Sequence, residues 1–139
     1  MNAVAQKRRE FGVEALVVQG NVSKDENCRR LAPSALKKWG RVDALINNAG
    51  TTNFVGHNDL EGLSADHSPV IYAVNVVGPY QMTLAVTPTM KMAGHVAAVN
   101  IASIAGVLGS GSSVAYAASK GALNTMTLSL ARALAACRT

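Results

Sequence analysis

Ser103, Tyr116 and Lys120 are the residues of this chain whose types and spacing suit a chemical task. Tyr116 and Lys120 stand four apart in an Ala-rich run, and a helix stacks such positions on one face, so a phenol and an ammonium come within reach of one ligand. Ser103 follows the apolar run Val96 to Ile101. The intervening Gly106, Gly109 and Gly111 let the chain fold back so that its hydroxyl approaches the phenol. A hydroxyl, a phenol and a cation in this arrangement suit proton transfer at a carbonyl oxygen.

The elements that must hold these groups can be read in order. Residues 2 to 10 read as a helix broken by Gly12, and Ala15 to Val18 as a short buried strand closed by Gln19, Gly20 and Asn21. Ser23 or Asp25 is the expected cap of the next helix, whose apolar Cys28, Leu31, Ala32, Ala35, Leu36 and Trp39 recur at helical spacing until Gly40. Pro33 interrupts that pattern at a penalty of about 3 kcal/mol, which predicts a kink or a later start. Val42 to Ile46 lacks polar alternation, as does a strand covered on both faces of a parallel sheet, and Asn47-Asn48-Ala49-Gly50 ends it.

Thr51 to Ser68 is polar and irregular, and a helix is expected from Pro69 to about Met92, with Ile71, Val74, Tyr80, Leu84 and Met90 among its apolar members. Val96 to Ile101 reads as a third strand and Val114 to Ala136 as the last helix, with Leu123, Thr127, Leu130 and Leu134 turned inward. Strands alternating with helices predict a parallel sheet flanked by helices on both sides, within a single domain over residues 1 to 139.

Composition narrows the function classes. The chain has 139 residues, 49% of them hydrophobic, which is enough for a core, and no repeat or low-complexity tract. A net charge of +5 admits an anionic partner, but most of the basic residues fall on two early amphipathic segments and only 4% of residues are aromatic, which argues against nucleic-acid binding. Cys28 and Cys137 form no Cys-x-x-Cys pair, so neither a disulfide framework nor a metal site is expected. No signal-like apolar core opens the chain and no bilayer-length apolar run is apparent, so a cytoplasmic protein without membrane contact is expected.

Four features in order give the chain a family resemblance. Asn47-Asn48-Ala49-Gly50 follows a strand, Asn75 lies in the next helix, Ser103 follows the next strand, and Tyr116-x-x-x-Lys120 comes thirteen residues after that serine. The chain resembles the middle of a short-chain dehydrogenase/reductase across essentially its whole length. The resemblance implies a partial Rossmann-type, doubly wound, three-layer α/β/α fold and hydride transfer between NAD or NADP and a small carbonyl or alcohol substrate. It makes Tyr116 the general acid/base, Lys120 the cation beside it that also holds the nicotinamide ribose, Ser103 the donor to the substrate oxygen, and Asn75 a holder of a relay water. An ordinary phenol keeps its proton at working pH, and a neighbouring cation favours the phenolate.

The resemblance also implies cofactor contacts from Asn48, Ala49 and Gly50, and from Asn21 and the adjacent Val22, where Asn21 replaces the family's usual aspartate and so brings hydrogen bonds without charge. Pro79 has no amide hydrogen to give the Asn75 carbonyl, which would leave that oxygen open to the relay water. Family members are commonly homo-oligomers.

Other family parts have no counterpart in these residues. No Gly-rich phosphate loop opens a helix, and the residues that separate NAD from NADP and shape the substrate pocket are missing. In the order 3-2-1-4-5-6 the three expected strands are the third, fourth and fifth, so the first two, which would lie between the third and fourth, leave a gap. Ala15 to Val18 is then expected to lose its neighbours and the Val42 strand to become an apolar edge. These features predict a central piece of a longer reductase that binds cofactor weakly. The alternative is a non-catalytic fragment that co-assembles with full-length subunits, since helices like Pro69 to Met92 and the Ala-rich Val114 to Ala136 pack across subunits in the family that the chain resembles. A 3-ketoacyl reductase, a sugar or polyol dehydrogenase and a steroid-like alcohol dehydrogenase all remain open as the substrate class.

Overall fold

A computed structural model describes residues 2–135, so Ala136 and Cys137 lie outside the described residues. The order is α1 (Asn2–Glu10), α2 (Asp25–Trp39), β1 (Leu45–Asn47), α3 (His67–Tyr72), a π-helical turn (Ala73–Val77), α4 (Gly78–Met92), β2 (Ala98–Asn100), α5 (Ala105–Leu108) and α6 (Val114–Ala135). β1 and β2 pair in parallel, with Leu45 opposite Ala98, Ile46 opposite Val99 and Asn47 opposite Asn100.

Ala15 to Val18 is not a strand. Leu16 and Val17 are exposed, and the segment has no regular structure, because a strand needs a ladder partner and none among the described residues lies beside it. Side chains tether the segment instead: Lys38 and the Trp39 indole both donate to Glu14, at 3.2 Å each. α2 begins at Asp25 rather than later and runs unbroken through Pro33. Its buried Cys28 and Ala32 pack inward, and that tertiary burial offsets the lost backbone bond. Neither expected cap forms: Lys24 holds the cap position without a side-chain bond, and the Ser23 hydroxyl donates to Asn21 Oδ1 at 2.8 Å.

Ala32, Leu45, Val86 and Met90 form the core, with Val42, Met82, Ala85 and Val96 packed around it. Leu45 and Asn47 face this core, while Ile46 is 65% exposed and its ladder partner Val99 52%. The strand expected to be covered on both faces is thus covered on one. Of the apolar residues of the α3–α4 run, Ile71 and Met90 are buried whereas Tyr80 and Leu84 are exposed.

Residues 67–92 form one helical run long and apolar enough to cross a bilayer by length and composition, with a mean hydropathy of 1.2, where the sequence predicts none. Its buried Ile71, Asn75, Thr83, Val86 and Met90 mark it as the central packing helix of this fold. The π turn within it has a local cause. Pro79 lacks the amide that would bond to residue 75, and its ring crowds that carbonyl, so the turn widens and the Gly78 amide reaches back five residues to the Ala73 carbonyl.

α6 buries Ala115, Ala117, Ser119, Lys120 and Leu123. Farther along, Thr127, Leu130 and Leu134 line an open 390 Å³ groove beside β2, so the inward face expected there is only partly covered. α5 occupies part of what the sequence suggests is loop. It ends at Gly109, whose φ of 68° lets the Gly109 amide close onto the Ala105 carbonyl.

Candidate active site

The carboxyl ends of both strands open onto one cavity of 540 Å³. Asn48 and Gly50 reach it from β1, Ile101 and Ala102 from β2, Tyr116 and Lys120 from the first two turns of α6, and Thr51, Thr52, Phe54 and Ser112 complete its wall. A cavity at the carboxyl ends of parallel strands is the usual ligand position of an open α/β sheet.

Lys120 is 5% exposed, and its Nζ donates to the Ile101 carbonyl at 2.7 Å while lying 5.8 Å from the centroid of the Tyr116 ring. Burial lowers its pKa below the ordinary lysine value. One of its three N–H donors is used by Ile101, which leaves two for whatever enters the cavity.

The turn that carries Tyr116 and Lys120 is held from two sides. The fully buried Asn75 accepts the Thr51 amide at 2.8 Å, donates to the Thr51 carbonyl at 2.9 Å and donates to Ser119 Oγ at 3.0 Å. Ser119 in turn donates to the Tyr116 carbonyl at 2.7 Å. The Asn75 side chain therefore ties the loop after β1 to the helix turn bearing both candidate groups. On the other side, α5 meets α6 at Gly106, where an added Cβ would fall 2.5 Å from the Lys120 carbonyl carbon and 2.6 Å from the Gly121 nitrogen.

Ser103 is half-buried and follows the lining residue Ala102 without lining the cavity. Its Oγ accepts the Ala105 amide at 3.2 Å, a local turn into α5. The structure thus unites the phenol and the amine, and sets the third expected group one residue beyond the wall. Asn48 also lines a smaller 110 Å³ cavity with Ala49, Val22 and Pro79. Val22 is seated against the π turn, since a Cβ on Gly78 would lie 2.9 Å from its Cγ2. Asn21 is exposed and closes a local turn, its Oδ1 accepting the Ser23 amide at 3.0 Å.

Several polar residues at the site escape sequence reasoning. Asn47 donates to Asn100 Oδ1 at 2.8 Å across the ladder, and Asn100 donates to Thr127 Oγ1 at 2.9 Å, which links β1, β2 and α6. The signal for this was an asparagine at the end of one apolar run and another inside the next, Asn47 after Ile46 and Asn100 before Ile101. Ser113, fully buried, accepts the Tyr116 amide at 3.3 Å and starts α6. Ser119 sits between Tyr116 and Lys120, at the spacing of a serine that bonds back into its own helix.

Together, the parallel pair, the crossing helices and the cavity at the strand ends define a partial Rossmann-type α/β protein. Residues 1–138 match the short chain dehydrogenase family, and the chain belongs to it. It is 30% identical to the 3-oxoacyl-(acyl-carrier-protein) reductase FabG of Staphylococcus epidermidis over 96% of this chain and 53% of that protein. It is 34% identical to the L-fucose dehydrogenase of Bos taurus over 80% of this chain and 40% of that protein. Among solved structures, a Burkholderia xenovorans protein assigned to the short-chain dehydrogenases/reductases superposes with a TM-score of 0.93 at 43% identity, covering 96% of this chain and 56% of that one. An NAD+-bound xylitol dehydrogenase superposes with a TM-score of 0.91 at 30% identity, covering 98% and 52%. The chain spans about half the length of the relatives it matches.

Proposed function

We propose that this chain carries the catalytic groups of an oxidoreductase that moves hydride between a nicotinamide cofactor and a small carbonyl or alcohol substrate. The observation that carries the reading is Lys120: a nearly buried ammonium with two uncommitted donors, facing a cavity it shares with Tyr116. Those donors fit a pair of ribose hydroxyls, and the small residues Ala49 and Gly50 leave room for a ribose and base to lie close. NAD or NADP, when bound, supplies or accepts the hydride.

In this reading Tyr116 delivers the proton to the substrate oxygen or takes it back, and Lys120 holds the ribose and the local positive charge. Ser103 donates its O–H to the substrate oxygen, a proton left free because its Oγ only accepts the Ala105 amide. Asn75 serves through its backbone carbonyl, since its side chain is committed to Thr51 and Ser119. Asn48, Ala49 and Gly50 line the ribose side, and Asn21 with Val22 the base side.

Turnover of a carbonyl panel with NADH or NADPH tests the proposal, on the chain alone and with an upstream βαβ unit fused to it. Tyr116→Phe should lower the rate by about 10²- to 10⁴-fold. An undiminished rate removes the reading. Cofactor binding by the unfused chain is expected to be weaker than micromolar, because no glycine-rich turn is present to receive the phosphates. A second reading, a fragment that co-assembles with longer subunits, is favoured by the exposed strand face at Ile46 and Val99. Size exclusion of the co-expressed chains separates the two: a mixed species without Tyr116-dependent turnover supports assembly alone.

A further inference from the structure

Ser112 has a φ of 56°, the only positive φ outside glycine among the described residues. Its neighbours Gly109 and Gly111 adopt that region freely, whereas a side chain there is strained. The fold holds it in place: the Val55 amide donates to the Ser112 carbonyl at 3.1 Å, and the fully buried Ser113 follows. Held this way, Ser112 Oγ lies 2.6 Å from Thr52 Oγ1, and both residues line the cavity that contains Tyr116 and Lys120.

Counting protons shows what this pair offers. When Ser112 donates to Thr52, the Thr52 hydroxyl has the Asn53 carbonyl at 3.3 Å or Ser113 Oγ at 3.5 Å to donate to, and the lone pairs of Ser112 stay open. When Thr52 donates to Ser112, the Ser112 proton is released toward the cavity. Rotating two O–H bonds therefore switches Ser112 between acceptor and donor with no heavy atom moving. A substrate hydroxyl, which needs both roles, matches such a pair. An alkyl chain uses neither role, and a thioester carbonyl, which only accepts, uses the donor role alone.

We propose that Thr52 and Ser112 are specificity-determining residues that hydrogen-bond a substrate hydroxyl near the reacting carbonyl, so that the site favours polyhydroxylated ketones and alcohols over 3-oxoacyl thioesters. The inference rests on the oxidoreductase reading for what is done to that carbonyl, and on the hydroxyl pair alone for which molecule is held. Saturation-transfer NMR on the 139-residue chain tests it with xylulose, its 3-deoxy analogue, which lacks one of the two hydroxyls next to the carbonyl, and an acetoacetyl thioester. Xylulose should bind best, and Ser112→Gly, which also relieves the strained φ, should weaken it roughly fivefold without loss of fold. Thr52→Val, of equal volume, should do the same.

Equal affinity for xylulose and its deoxy analogue, stronger binding of the thioester, no xylulose binding, or indifference to both substitutions overturns the inference. NADH signals measured in parallel keep the two proposals apart. Xylulose binding that depends on Ser112, beside NADH binding that ignores Lys120→Met, removes the oxidoreductase reading and leaves the hydroxyl pair standing.

Discussion

Replacing Gly106 with alanine sets two effects of known size against each other. In a helix, Gly→Ala ordinarily stabilises by about 0.5–1 kcal/mol, because alanine loses less conformational freedom on folding. Here the new Cβ would sit 2.5 Å from the Lys120 carbonyl carbon, 2.6 Å from the Gly121 nitrogen and 2.8 Å from the Lys120 oxygen. All three are backbone atoms of α6, so no side chain can swing aside. α5 must retreat by about 1 Å to restore ordinary contact, and overpacking of this kind costs about 1–3 kcal/mol. The net expectation is destabilisation of about 1–2 kcal/mol, read as a lower urea midpoint at unchanged slope and a Tm lower by roughly 5–10 °C. Gly109→Ala is the control: nothing lies within 4 Å of its added Cβ, so only its φ of 68° is penalised, by about 1–2 kcal/mol. Gly106→Ala that stabilises the chain would refute the close crossing of α5 on the Lys120 turn.

Other outcomes follow from the same site. Ser119→Ala removes the acceptor of Asn75 Nδ2 and the donor to the Tyr116 carbonyl in a fully buried spot, and should cost about 1–3 kcal/mol in denaturant unfolding. Because burial lowers the Lys120 pKa, the unfolded chain binds more protons between that lowered value and the ordinary 10.5. This group's penalty is therefore full below its folded pKa and is relieved as pH rises toward 10.5, and Lys120→Met should flatten the stability profile in that window. Cys28 is fully buried and its thiol pKa is raised by burial, so alkylation should be slow in the native chain and rise with urea in step with unfolding.

Much of the candidate site could be read from residue order alone. Tyr116 and Lys120 share a helix face because four residues nearly complete a turn, and the motif Asn47 to Gly50 marks the end of β1, whose last paired residue is Asn47. Pro79 signalled that the Asn75 carbonyl lacks its usual helical donor, since a missing amide is a covalent fact, whereas the widening of that turn shows only in the structure. The strand expected at Ala15 to Val18 was not recoverable in that way. Its apolar residues describe a strand only if a neighbour pairs with them, and pairing is not a local property.

Local chemistry therefore determined which groups this chain presents and which elements carry them: the phenol and ammonium on α6, the serine after β2, the asparagine in the central helical run. Tertiary structure decided how those groups are spent. It committed the Asn75 side chain to Thr51 and Ser119, drew the Ser103 hydroxyl into its own turn, left Lys120 two open donors, and brought Thr52 against Ser112 from sixty residues away. The reason is that a hydrogen bond between distant residues depends on where whole elements dock, and docking is set by the summed packing of α2 and α4 on β1 and of α3, the π turn and α5 on α6.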